Sequence, residues 1–304
     1  MSEREKRRRL LVLGVCLIGS VAAGGGPQGA ARLAAAAAPA ASGRYAVLVV
    51  ANQTTSDTVP MDADWWHDLI VQYQALKDDG FADEDISVVY GAGSDFQSQT
   101  DTYSSTKRFK HNITTLPLTF QGISDAFAAA NSRLRMGGYL YVAWSSHGTQ
   151  VSGSNPCEAE LYLEIAGTQH VVSSSMLKQW VQSVTQAGRI TLSVNACSSG
   201  QVGELFAGVP GTIVLTAAQC GLNSFDISDD ACNQLPASEF SYFQTEALRQ
   251  KDICDKGVSS DINGDGRVSF DEVAQHLCRM QLSKPQVFDP FGIAKTTSLK
   301  GAFP

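Results

Sequence analysis

Two short apolar runs, each closing on a reactive side chain, constrain this chain more than anything else in it. Residues 139–144 lead to His147 and Gly148, and residues 190–194 lead to Cys197. Bounded by turn residues, each run reads as a buried strand. A strand that hands over to a Ser/Gly turn places the next side chain at the carboxyl edge of a sheet, where open α/β folds keep their clefts. Imidazole and thiol therefore share one cleft if the two strands share one sheet. The thiol sits in Asn195-Ala196-Cys197-Ser198-Ser199-Gly200, where Gly200 permits a tight turn and the small serines leave the sulfur uncovered. Such a thiol, with a free pKa of about 8.5, needs only a nearby imidazole and some backbone N–H groups to serve as a nucleophile.

The rest of the chain alternates in kind. Residues 45–51 suit a central strand and give way to a polar turn over 52–60. A helix is expected over 61–77, stopped at Asp78-Asp79-Gly80 with Gly80 as a left-handed cap. Residues 86–90 read as a strand, and 91–111, which lack periodicity, as a surface loop. Thr119 is placed to cap a helix reaching 134, with Ile123, Phe127 and Leu134 near one face and Gly137-Gly138 to end it. A hairpin near 161–165 and Val171, a helix over 173–184, a strand over 212–217 and a helix over 236–248 complete the order. Strands alternating with helices imply parallel pairing and right-handed crossovers. The expected fold class is α/β, a three-layer α/β/α sandwich with a mostly parallel sheet, followed by a C-terminal EF-hand-like loop and helix.

That loop, 261–272, is a local signature of a different kind. Asp261, Asn263 and Asp265 offer side-chain oxygens, Arg267 its carbonyl, Ser269 a water-bridged contact and Glu272 a bidentate carboxylate. Gly266 makes the sharp turn and Val268 packs inward. A helix is expected over 270–280. The cofactor expected is a structural Ca2+ clamp of modest affinity, with none for catalysis. His67, His111, His170 and His276 lack metal-ligand spacing and read as ordinary.

The 304 residues, 43% hydrophobic and 17% charged, suffice for a full core. Basic residues up to Arg9, then an apolar run, then Ala-x-Ala spacings, read as a signal peptide over 1–23 of the general secretory or the twin-arginine type. An Ala/Gly-rich spacer follows over 24–42. The run is short for a membrane span, so any membrane contact would come through an uncleaved leader. Setting aside Arg4, Lys6, Arg7, Arg8, Arg9, Glu3 and Glu5 takes the net charge from −7 to −10. With no basic cluster, that balance argues against nucleic acid as a partner. Export permits disulfides. Local spacing favours Cys220 with Cys232 and Cys254 with Cys278, leaving Cys157 over; pairing of all six would consume Cys197.

Over about residues 44–250 the chain resembles the legumain branch of the caspase-like cysteine peptidases, in a bacterial form. A strand ending in His147-Gly148 is followed 50 residues later by one ending in Ala196-Cys197-Ser198-Ser199-Gly200. The resemblance implies a peptidase domain over 43–250, with the calcium segment over 251–282 and a tail over 283–304. It implies a Cys197 nucleophile, a His147 proton carrier, an oxyanion held by the N–H groups of Gly148 and Cys197, and peptide or protein substrates. The strand after the nucleophile strand pairs with substrate in that family, so Asn223, Ser224 and Phe225 are candidates to line the cleft. The family's imidazole-orienting asparagine falls on Asn52 or, counted back from Asp68, on Asp62. Where legumains carry an Arg-His pair in their asparagine pocket, this chain has Asp64-Trp65. A carboxylate from Asp62 or Asp64 would favour Arg or Lys before the cut bond; otherwise both acids suit a first helical turn, Trp65 and Trp66 pack in the core, and Asn stays preferred. A catalytically silent binding module held by calcium and a transpeptidase of the same family are the other expectations the residues leave open.

Overall fold

The computed structural model of the chain describes residues 41–50, 63–96, 109–153, 157–165, 168–229, 235–252, 254–280 and 282–303. The expected leader, Asn52, Asp62 and Cys232 lie outside them. Strand β1 (Ser42–Val50) leads to helix α1 (Ala63–Asp78), β2 (Ile86–Val89), α2 (Phe120–Arg133) and β3 (Leu134–Ser145). A small sheet follows, of β4 (His147–Gln150), β5 (Ala159–Ile165) and β6 (Thr168–Ser173), then α3 (Ser174–Ser183), β7 (Ala187–Asn195), α4 (Gly200–Phe206) and β8 (Thr212–Thr216). The chain continues through the hairpin β9 (Asp226–Asp229) and β10 (Leu235–Ser238), α5 (Glu239–Arg249), α6 (Phe270–Leu277), β11 (Gln286–Phe288), β12 (Thr297–Ser298) and β13 (Gly301–Ala302).

Six strands form the main sheet in the order β11-β8-β7-β3-β1-β2. All neighbouring pairs are parallel except β11 on β8. Side chains alternate across a strand, and β1 shows the outcome. Ala46, Leu48 and Val50 join the core under α1, α5 and α6, while Tyr45, Val47 and Val49 join the core under α2, α3 and α4. Apolar burial on both faces accounts for the near-continuous hydrophobic runs of the central strands. The result is the three-layer α/β/α sandwich. No helix among the described residues is long and apolar enough to cross a membrane.

The helix ends follow their sequence signals. The Thr119 hydroxyl accepts the Gly122 N–H at 2.9 Å to cap α2, and Ser173 accepts the Met176 N–H at 3.2 Å to cap α3. Gly80, at φ +82°, closes α1. Elsewhere the structure departs from expectation. Gly137 and Gly138 do not end a helix: α2 passes directly into β3 at Leu134, and the glycines sit where the β3–β7 register shifts, the usual place for glycine at a bulge. The tail is no loose appendage, since β11 extends the sheet and the Phe288 ring fills the notch left by Gly203, where a Cβ would stand 2.0 Å from that ring. Val268, Phe270, Val273, Leu277 and Met280 of the 251–282 segment join the same core as α1.

The cysteine pairing also differs. Cys157 bonds to Cys220, 63 residues away, with Cα atoms 6.2 Å apart. Cys254 is disulfide-bonded too, while Cys197 and Cys278 are free. Pairing by sequence proximity fails because Cys278 caps α6 at the surface, whereas sheet topology brings the segment before β5 onto the loop after β8.

Candidate active site

Strands β3 and β7 are neighbours, and their register pairs Ser145 with Asn195. His147 and Cys197 each stand two residues beyond that shared rung. A hydrogen bond from the Ser146 N–H to the Asn195 carbonyl, 3.0 Å, carries the pairing one step past the sheet. The Ser146 hydroxyl accepts from the Trp144 indole and donates to the His147 carbonyl, both at 2.9 Å, so this serine shapes the turn. Gly148 then packs on the Cys197 peptide: a Cβ at 148 would lie 2.2 Å from the Cys197 carbonyl oxygen and 3.2 Å from the Ala196 Cβ. Only glycine fits there.

The turn carrying the thiol is strained and buttressed. Ser198, 3% exposed, has φ +57°, a left-handed conformation that costs a non-glycine residue about 1 kcal/mol or more. Its N–H donates to the Leu222 carbonyl at 2.8 Å, and its hydroxyl accepts the Gly221 N–H at 3.3 Å. The Gly200 N–H donates to the Ala218 carbonyl at 2.8 Å. Thus residues 218–222, after β8, hold the elbow in place. The disulfide from Cys220 to Cys157 ties the same loop to β5, the partner of His147-bearing β4.

Around the half-buried sulfur, the Ser224 N–H donates to Sγ at 3.3 Å and the thiol faces the Ser224 carbonyl at 3.8 Å. Ser224, expected to line the cleft, is thereby placed against the thiol through its backbone. The Cys197 N–H donates no hydrogen bond among the described residues, which leaves it available to an oxygen at the cleft.

His147 is exposed, with the Trp65 ring against it edge-on, centroids 5.2 Å apart. Trp66, next in sequence, is fully buried, and Trp65 packs against the same core while its ring meets His147. Asp226, the first residue of β9, also faces the imidazole electrostatically. Although the residue is exposed overall, burial of its carboxyl pushes it above the usual carboxylate range, and the charge of His147 opposes that rise. Asp62 lies outside the described residues, and Asp64 is described only as backbone in the first turn of α1. Its neighbour Trp65 nevertheless brings that turn to the cleft. Sequence reasoning stopped at Phe225 and missed Asp226, one residue on; the signal was an acid in the segment already suspected of lining the cleft.

At the acidic loop, Asp261 accepts the N–H groups of Gly264, Asp265 and Gly266, Asn263 that of Asp265, and Asp265 that of Arg267. Gly266 sits at φ +80° and Val268 is buried. The Glu272 carboxylate accepts from Ile262, Asn263 and Ser269, completing a capping box on α6. Among the described residues no three His, Cys, Asp or Glu side chains stand together closely enough to hold a metal ion. The all-oxygen donor set suits a hard cation such as Ca2+.

Fold and site together define an α/β/α protein with a thiol and an imidazole on adjoining strand ends. No protein-family model matches the chain, and no curated protein matches it. Among solved structures it is similar to caspase-1 from Spodoptera frugiperda, with a TM-score of 0.46 and 12% identity over 80% of this chain and 85% of that one.

Proposed function

We propose that the chain is an exported cysteine endopeptidase of the caspase-like clan, on its legumain side, working through Cys197 and His147. The observation carrying this reading is the shared β3–β7 rung, which sets both reactive groups two residues beyond one sheet edge with Gly148 packed on the Cys197 peptide. The Cys197 sulfur attacks the scissile carbonyl while its proton passes to His147. The oxyanion meets the N–H groups of Cys197 and Gly148. Collapse breaks the C–N bond as His147 returns the proton to the leaving amine, leaving a thioester. Water, deprotonated by His147, then cleaves the thioester and restores the thiol.

Substrate preference follows from charge. The Asp226 carboxylate, within electrostatic reach of the imidazole, supports a preference for Arg or Lys before the cut bond, the preference the sequence expects from Asp62 or Asp64. Incubation with an acyloxymethyl ketone peptide, followed by mass spectrometry, tests the chemistry. Modification of Cys197 that disappears in His147→Ala is expected, and a label confined to Cys278 overturns it.

The 261–272 loop is read as a structural Ca2+ clamp held by Asp261, Asn263, Asp265, Arg267, Ser269 and Glu272. Its donor chemistry and the left-handed Gly266 support this; binding would require Glu272 to release the N–H groups it now accepts. Calorimetric titration of chelator-treated protein should show binding heat that Glu272→Gln removes. No heat up to about millimolar calcium discards the assignment.

A further inference from the structure

We infer that Asp68, buried in α1, is a positioning residue for the Cys197 thiol, acting through Asn195 and Ser224; the catalytic use of that thiol rests on the peptidase reading above. Asp68 is 1% exposed and Asn195 3% exposed. Asp68 Oδ1 accepts both the N–H and the hydroxyl of Ser238, each at 3.0 Å, and Oδ2 accepts the Asn195 side-chain amide at 2.8 Å. The Ser238 hydroxyl in turn accepts the Ser241 N–H at 3.1 Å, capping α5. The carboxylate is therefore fixed between two helices and the sheet.

Asp68 Oδ2 accepts from the Asn195 NH2, so Asn195 turns its Oδ1 the other way. That oxygen meets the Ser224 hydroxyl at 3.1 Å, which must donate to it. With its hydroxyl held, Ser224 sets its backbone N–H 3.3 Å from the Cys197 sulfur. Donor and acceptor roles thus run in one direction from a buried carboxyl to the reacting atom. Aspartate or leucine at 195 would break the sequence, and so would any residue without a hydroxyl at 224. The neighbouring anchors, Leu222 on Ser198 and the Phe225 N–H on the Ser283 hydroxyl at 3.0 Å, hold the ends of the segment but not residue 224 itself.

The test uses the full chain with Cys16→Ser and Cys278→Ser as background, so that Cys197 is the thiol followed. Its alkylation rate by chloroacetamide, an uncharged reagent, is measured at fixed pH. Ser224→Ala and Asp68→Asn should each slow the reaction about fivefold, the worth of one hydrogen bond, and Ser224→Thr, which keeps the hydroxyl, should restore it to within about twofold. On a peptide reporter kcat should fall by a similar factor with KM within about twofold. Should Asp68→Asn fail to fold, half-buried Ser224→Ala decides alone. Ser224→Ala alkylated within about twofold of the parent overturns the inference. An intact alkylation pattern in a chain that turns over no peptide sinks the peptidase reading and leaves the positioning role standing.

Discussion

At the Cys197 rim, the chemistry is assembled from four separated stretches: α1, the ends of β3 and β7, and the segment from the loop after β8 to the first residue of β9. In the 261–272 loop, every group comes from twelve consecutive residues that hydrogen-bond one another. The rim depends on sheet register and long-range ties, so damage far away in sequence should reach it. The loop should feel chiefly its own residues. This contrast orders the experiments that follow.

The largest effect should come from the Cys157–Cys220 disulfide. It spans 63 residues and fastens the loop behind the thiol to the sheet bearing His147. Cys157→Ser with Cys220→Ser should lower stability by about 2–4 kcal/mol in denaturant unfolding. Turnover should fall too, although neither residue touches Cys197. Undiminished turnover in the double variant would show that the rim needs no long-range tie, and the contrast with the acidic loop would weaken.

Next in size is Gly148→Ala. The added methyl meets the Cys197 carbonyl oxygen and cannot be relieved by a side-chain rotation, because backbone opposes it. Overpacking of this kind costs about 1–3 kcal/mol, and a displacement of about 1 Å between reacting groups can cost about a hundredfold in rate. Thermal melting and kcat together check it. A loss in kcat larger than the melting shift explains is expected, since the clash lies between the two catalytic turns.

These two regions also differ in how far sequence alone reached them. His147, Gly148 and Cys197 stand out because each follows an apolar strand, and the twelve-residue loop because its spacing is local. Asp68 stayed hidden because α1 buries residues 66–71 without interruption, so an acid there gives no amphipathic signal to read. Nothing local distinguishes Trp65, which packs on the core with its ring against His147, from the fully buried Trp66. Asp226 opens a four-residue strand too short for a period. The Cys157–Cys220 pairing needed the topology, since connectivity follows space and not spacing.

Asp226→Asn sharpens the comparison at the level of charge. If the carboxylate serves substrate selection, reporters ending in Arg or Lys should lose about tenfold in kcat/KM while Asn reporters change little. An equal loss on all reporters would assign Asp226 to the imidazole instead. Its raised pKa sets the sign of the pH dependence. The anion that recognises a basic side chain is lost as pH falls through a value above the ordinary carboxylate range, so the acid limb for Arg reporters should lie higher than about 3.9 and vanish in the variant.

The smallest effect belongs to the loop. Burial pushes the Glu272 carboxyl up, but the hydrogen bonds from Ser269, Asn263 and Ile262 outweigh it and hold the group below its ordinary value. A carboxylate depressed in the folded state contributes stability that is fully present above its unfolded pKa and fades as pH falls through the folded one. Hydrogen exchange at the Ile262, Asn263 and Ser269 amides should therefore stay protected at neutral pH and open on acidification below the normal glutamate range. Glu272→Gln should flatten that dependence while leaving alkylation of Cys197 unchanged. Were the thiol's reactivity to follow Glu272, the two regions would be coupled through α6 and the shared core, and the loop would no longer count as self-contained.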